Sequence, residues 1–152
     1  MISRAIYSEV MTLAPEDMIC FALYSTAHAM QKAYRPLLDA LGLTYPQYLV
    51  MSALWAEDAP QTVNGIGRRL HLESSTLTPL LKRLELMGLV TRTRSSVDER
   101  QVEIALTDAG QAMRARVADT PTAIAENTGM TLDDLERLRD EVLGLRAQLR
   151  KA

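Results

Sequence analysis

Residues 63–107 read VNGIGRRLHLESSTLTPLLKRLELMGLVTRTRSSVDERQVEIALT, and the order of signals inside them decides the fold. Ile66 and Leu70 mark a short helix over residues 63–70. Ser74 or Ser75 caps a second helix. Its apolar positions Leu77, Leu80, Leu81, Leu84 and Met87 fall at spacings of 3, 1, 3 and 3, and Gly88 stops it. The period then switches to two. Residues 89–94 (LVTRTR) and 101–106 (QVEIAL) read as two strands joined by the polar turn 95–99, SSVDE.

Helices flank this block on both sides. Pro15, Glu16 and Asp17 suit a helix N-terminus, and residues 16–41 read as one long helix that Pro36 kinks near its end, with Gly42 as the stop. Thr44 and Pro46 restart a helix carrying Tyr48, Leu49, Met51, Leu54 and Trp55 to about residue 57. Thr107 caps a helix from about Asp108, which Pro121 interrupts or ends. Thr131 to Asp134 has the pattern of a capping box. From there Leu132, Leu135, Leu138, Val142, Leu145 and Leu149 recur at spacings of 3, 3, 4, 3 and 4, a stripe suited to pairing with another helix. The fold class expected is therefore mainly α with a small β-hairpin wing, the layout of a winged helix-turn-helix, in one chain of 152 residues. The stripe at the C-terminal end suits either intramolecular core or a dimer interface.

Composition narrows the class. Hydrophobic residues make up 47% and charged residues 24%, as in globular proteins. No stretch approaches a membrane span, and the N-terminus lacks a signal peptide's apolar core, so a cytoplasmic protein with no membrane partner is expected. The single cysteine, Cys20, precludes an internal disulfide, and with two histidines it leaves too few soft ligands for structural zinc, so neither metal nor cofactor is expected. A net charge of −2 gives no global attraction to nucleic acid. Within residues 63–107, however, Arg68, Arg69, Lys82, Arg83, Arg92, Arg94 and Arg100 outnumber Glu73, Glu85, Asp98, Glu99 and Glu103.

A capped helix whose first turn is small and polar can enter a major groove. Ser74, Ser75, Thr76 and Thr78 provide such a face, and Lys82 and Arg83 can reach the backbone. The hairpin turn, flanked by Arg92, Arg94 and Arg100, can lie along an adjacent groove, where arginine reads a narrow minor groove. The competing account is an α/β core with a solvated hairpin.

The motifs add to this. Asp98-Glu99-Arg100, followed by Ile104, Leu106, Thr107 and Gly110, resembles the wing signature of the multiple-antibiotic-resistance regulator (MarR) family. The run from Leu77 to Val90 resembles that family's recognition helix. The resemblance implies that Arg100 touches DNA, that Asp98 orients it, and that the chain is a DNA-binding dimer through its N- and C-terminal helices, with residues 16–45 and 108–152 as dimerisation helices and residues 46–107 as the DNA-binding lobe. Within the family, the segments around Cys20 to Tyr24, Lys32 to Leu37 and Leu43 to Tyr48 are similar to the organic hydroperoxide resistance branch. That likeness implies a peroxidatic Cys20 hydrogen-bonded by Tyr34 and Tyr45, with Tyr24 in support.

Residue chemistry is consistent with such a sensor. Only a thiolate attacks a peroxide efficiently, and phenolic donors favour the anion. Tyr24 shares a helix face with Cys20. Tyr34 lies 14 residues on, about 21 Å along a continuous helix, so it can serve this thiol only from a partner subunit. The bland alternatives are a buried hydrophobe for Cys20, surface or packing roles for His28 and His71, and core for Trp55 and the methionines. The expectation is a non-enzymatic repressor on a pseudo-palindromic operator, released by organic hydroperoxide. With no second cysteine, oxidised Cys20 then needs a low-molecular-weight thiol, giving a mixed disulfide, or over-oxidises irreversibly. Two rivals remain: a MarR-type repressor answering to a small aromatic ligand in the dimer cleft, and a thiol peroxidase.

Overall fold

The computed structural model describes residues 13–151, in two units, Met1–Lys32 and Ala33–Ala152. A single 3-10 turn, Pro15–Asp17, precedes α1 (Ile19–Asp39). There follow α2 (Tyr45–Trp55), β1 (Gln61–Thr62), α3 (Val63–Leu70), α4 (Ser74–Leu86), β2 (Val90–Arg94), β3 (Val102–Leu106), α5 (Asp108–Arg116), α6 (Thr120–Thr128) and α7 (Leu132–Leu149). The mainly α winged-helix architecture is as expected. Most of the N-terminal stretch read as lacking a signal peptide's core lies outside the described residues. No helix among the described residues is long and apolar enough to cross a membrane.

Threonines start most of these helices, because a β-region residue with a short hydroxyl satisfies an otherwise orphaned backbone N–H. Thr44 forms a full capping box with Gln47, and the Thr62 and Thr107 hydroxyls accept from Gly65 N and Gly110 N, each at 3.0 Å. Thr131 accepts from Asp134 N at 3.2 Å, but Asp134 answers the Thr131 hydroxyl at 2.8 Å, so only half of a capping box is built.

Several local expectations are corrected. The first helix begins at Ile19, because Met18 adopts extended backbone after the 3-10 turn. Neither Ser74 nor Ser75 caps α4: Glu73 occupies the cap, with no side-chain bond, and both serines lie in the first turn. Pro121 does not end α5, which stops at Arg116; it opens α6 instead, where its missing N–H costs nothing. The wing is a three-stranded antiparallel sheet in the order β1-β3-β2, not a lone hairpin. In β1, Gln61 pairs with Ile104 and Thr62 with Glu103, and two residues carry no periodicity to read. The methionines divide: Met51 and Met113 are core, whereas Met18, Met87 and Met130 are exposed, and Met1 and Met11 fall outside the described residues.

The core of the second unit lies under α4 and the sheet. Leu77, Leu81 and Leu84 are fully buried against Val50, Met51, Ile66, Val90 and Ile104. Two close approaches fix the surrounding elements. A Cβ on Gly67 would lie 2.8 Å from Leu72 O, so the tight turn between α3 and α4 needs glycine there. Gly110 is tighter still: its Cβ would stand 2.0 Å from Leu89 O, and its carbonyl accepts from the buried Trp55 indole at 3.0 Å. The stripe on α7 is not part of this core; Leu132, Leu138, Val142, Leu145 and Leu149 are all exposed in the single chain.

Gly110→Ala is expected to lower stability by about 3 kcal/mol or more, since backbone cannot yield to the added methyl. Gly144→Ala, in α7 with open space around its Cβ, should be neutral or raise stability by about 0.5–1 kcal/mol. Denaturant midpoints of the two variants check this, and equal effects would contradict the packing at Gly110.

Candidate functional site

The buried leucine face of α4 forces its opposite face outward. Ser74, Ser75 and Thr76 are exposed, Thr78 is half-buried, and Lys82 and Arg83 point to solvent further along. Because Glu73 makes no capping bond, the first backbone N–H groups of α4 carry no side-chain cap. Hydroxyls, amides and the positive end of the helix dipole thus coincide.

The wing turn is tightly held. Ser95 N donates to Gln101 O and Gln101 N to Asp98 O, both at 2.9 Å, while the buried Ser95 hydroxyl accepts from Val97 N at 3.3 Å. The Asp98 carboxylate accepts from the Arg100 backbone N–H at 3.0 Å and from the Gln101 amide at 3.2 Å. Asp98 therefore orders the backbone that carries Arg100; among the described residues the Arg100 guanidinium has no carboxylate partner. Arg94 and Arg100 are both exposed.

Arg92 differs from them. It shares the strand parity of the buried Val90, pairs in register with Ile104, and is half-buried. Its guanidinium meets Glu85 of α4 at 3.5 Å, and its Nε is buried without a partner. The residue read from sequence as a groove contact thus links the wing to α4. Neither Glu85 nor Gln101 was legible as a site residue, because their partners lie across turns and carry no spacing signal.

The residues read as a sensor fall in both units. Cys20 and Tyr24 belong to the first, one helical turn apart on α1, and both are exposed, which corrects the buried-hydrophobe alternative for Cys20. His28, a further turn on, stacks on Tyr24 with ring centroids 4.4 Å apart, and its Nδ1 lies 2.9 Å from Tyr24 O. Tyr34 and Tyr45 belong to the second unit, where their ring centroids lie 5.0 Å apart. Tyr48, read from sequence only as an apolar helix position, joins them at 5.6 Å from Tyr34 and 6.5 Å from Tyr45. Burial, then the neighbouring Tyr48 and Tyr45, pushes the Tyr34 phenol up to about 12. Burial and Tyr48 also raise Tyr45. Both hydroxyls are therefore kept protonated, as hydrogen-bond donors, at any physiological pH.

Among the described residues no cluster of His, Cys, Asp and Glu could hold a metal ion. A pocket of about 310 Å³ opens between α2, α5 and α6, walled by Tyr48, Trp55, Val117 and Pro121 with Ser52 and Arg114 at its polar side.

Residues 32–116 match the family model described as "Transcriptional regulator SarA/Rot". The chain is 48% identical over 134 residues to the HTH-type transcriptional regulator TtmR of Methylorubrum extorquens, covering 88% of this chain and 68% of that one. It is 44% identical over 130 residues to the organic hydroperoxide resistance transcriptional regulator of Bacillus subtilis, covering 86% and 88%. Among solved structures, AbfR of Staphylococcus epidermidis superimposes with a TM-score of 0.76 at 38% identity, covering 90% of this chain and 94% of that one. AbfR has been solved bound to DNA in reduced and overoxidised states, and in a disulfide form.

A phenolate titration is expected to show Tyr34 ionising near 12, above the ordinary value of 10.0. The fold favours the neutral phenol, so this contribution to stability is complete below pH 10 and is lost as the pH rises towards 12. Tyr34→Phe should flatten that alkaline loss in denaturant unfolding followed against pH. An unchanged alkaline profile would show that the phenol is not held in its neutral form.

Proposed function

The chain belongs to the MarR family of winged-helix transcriptional regulators, of the SarA/Rot type, and from that premise we propose that it is a homodimeric DNA-binding repressor that senses organic hydroperoxides through Cys20. The observation that carries the DNA-binding part is the joint exposure of the Ser74–Thr76 turn of α4 and of Arg94 and Arg100 on the wing. Ser74, Ser75, Thr76 and Thr78 read base edges, Lys82 and Arg83 hold phosphates, and the wing arginines enter the neighbouring groove. The exposed apolar stripe of α7 pairs the two subunits, with α1 contributing, so the dimer meets a pseudo-palindromic operator with half-sites about one helical turn, 10–10.5 base pairs, apart.

The sensing part is supported by the exposure of Cys20 and by the 44% identity to an organic hydroperoxide resistance regulator. The thiolate attacks the terminal oxygen of the hydroperoxide; the O–O bond breaks, the alcohol leaves with a proton, and sulfur becomes a sulfenate. A low-molecular-weight thiol then condenses with the sulfenic acid, forming a mixed disulfide and releasing water. Tyr34 and Tyr45 donate to the thiolate before oxidation; for Tyr34 the helix spacing requires that it come from the partner subunit. Losing those bonds shifts the dimer away from its DNA-binding state. The role is regulation rather than turnover: the match to transcriptional regulators supports it, and one cysteine leaves the oxidised thiol to an external partner.

A second reading rests on the pocket beside Tyr48 and Trp55. Its apolar walls and Arg114 suit a small aromatic carboxylate, which would release DNA without Cys20.

Operator binding by the purified protein, with and without stoichiometric organic hydroperoxide, tests the proposal. The wild type should release DNA on oxidation and gain the mass of an added thiol or of oxygens. Cys20→Ser should bind equally well and ignore peroxide. Release of the serine variant by peroxide would sink the sensing role. Release of that variant by an aromatic carboxylate alone would favour the second reading. Arg100→Ala should weaken binding by about 1–3 kcal/mol with the dimer intact on sedimentation.

A further inference from the structure

The two halves of α7 differ in charge. Arg137 and Arg139 are matched on the helix itself, by Asp134 and Asp140. After Glu141 the chain runs VLGLRAQLRKA, with Arg146, Arg150 and Lys151 and no acidic side chain. Basic residues at a helix C-terminus are ordinary partners of its dipole. Their destination is less ordinary. Arg150 Nη1 lies 3.1 Å from His71 Nδ1, on the turn between α3 and α4. Arginine has only donors, so in this contact His71 Nδ1 takes the acceptor's role. His71 is set for this by its left-handed backbone, φ 55°, as the C-cap of α3.

The end of α7 and that turn enclose a cleft of about 900 Å³ lined by Arg68, His71, Ser74, Arg146 and Arg150, with Glu73 its only carboxylate. Among the described residues none of the three arginines is in a salt bridge, whereas the adjacent Arg69 is held by Glu57 at 2.8 Å. The cleft is thus net positive in a chain whose net charge is −2. Guanidinium forks without carboxylate partners among the described residues, gathered around one opening, match phosphate oxygens in geometry and charge.

We propose that this cleft seats a phosphodiester of the DNA backbone outside the groove-reading elements, so that the last two turns of α7 are part of the DNA-binding surface. The proposal rests on the DNA-binding reading above. The cleft borders the N-terminal turn of α4, and in helix-turn-helix proteins the elements beside the recognition helix cross the DNA backbone. A free phosphate anion shares the same chemistry and is the other source to be distinguished.

The test uses the full chain and a duplex that the wild type selects from a random-sequence pool. Arg146→Ala/Arg150→Ala should make the plot of log affinity against log salt shallower by about 4 for a dimer, about 1 per arginine. Thermal midpoint and sedimentation should not change. Arg146→Lys/Arg150→Lys should restore most of the slope, since the charges remain. In an Arg100→Ala background the alanine pair should still reduce the slope, which separates this cleft from the wing. An unchanged slope in the alanine variant overturns the inference while leaving the DNA-binding reading intact. Failure of the wild type to retain any duplex overturns both. Inorganic pyrophosphate binding that is lost in the alanine variant, with its DNA salt slope unchanged, would make the cleft a free-anion site and also overturn the proposal.

Discussion

Burial of Leu77, Leu81 and Leu84 along one face of α4 fixes which way the polar face of that helix, proposed to meet DNA, is turned. Each is fully removed from solvent, and deleting any one of them to alanine would cost about 2–5 kcal/mol, a large share of a small domain's stability. Three leucines at helical spacing define the inward direction of α4 without ambiguity. The hydroxyls of Ser74, Ser75 and Thr76 and the charges of Lys82 and Arg83 are therefore directed outward by packing rather than by any interaction of their own. That is a rigid way to present a reading surface, because rotating the helix would expose the leucines together.

A second set of contacts fixes the wing to this helix. Thr107 caps α5 and donates to Gly88 O at 2.6 Å, at the glycine where α4 has just ended. Gly110 lets α5 lie against Leu89, and Trp55 reaches from α2 to its carbonyl. Arg92 and Glu85 add a half-buried ion pair between strand and helix. Its net energy is small given desolvation and partial exposure; it is one more link between β2 and α4. Asp98 and Gln101 continue the same logic to the tip by ordering the turn backbone.

The residues proposed for sensing are arranged on different terms. Tyr34, Tyr45 and Tyr48 form an aromatic cluster at the edge of the core, and tilted rings at 5.0–5.6 Å are favourable contacts in their own right. Partial burial keeps the Tyr34 and Tyr45 phenols protonated, so these two can donate hydrogen bonds without ionising. Cys20, by contrast, stands exposed on α1. A thiol that must meet a peroxide cannot be buried in a core, and a donor that must stay neutral benefits from being partly buried.

The sequence by itself determined the winged-helix order, the short helix over residues 63–70, the threonine caps at positions 44 and 107, the stop at Gly88 and the exposed character of α4's first turn. All of these are local: a period of 3.6 or 2, a hydroxyl at a cap, a glycine at a stop. It also carried Cys20, Tyr34 and Tyr45 as a set, through resemblance rather than geometry. Only the tertiary structure decided what depends on residues distant in the chain. The two-residue strand β1 exists because β3 offers it a partner. Glu73 rather than a serine occupies the α4 cap because the turn after His71 positions it there. Tyr48 joins Tyr34 because α1 and α2 meet, and Arg92 turns inward because β2 shares its parity with Val90. The arginines near the end of α7 read as plain helix-terminal charges until His71, 79 residues away, meets Arg150. Sequence patterns record how a segment packs its own faces; which charges and rings converge is set by the folding of one segment onto another.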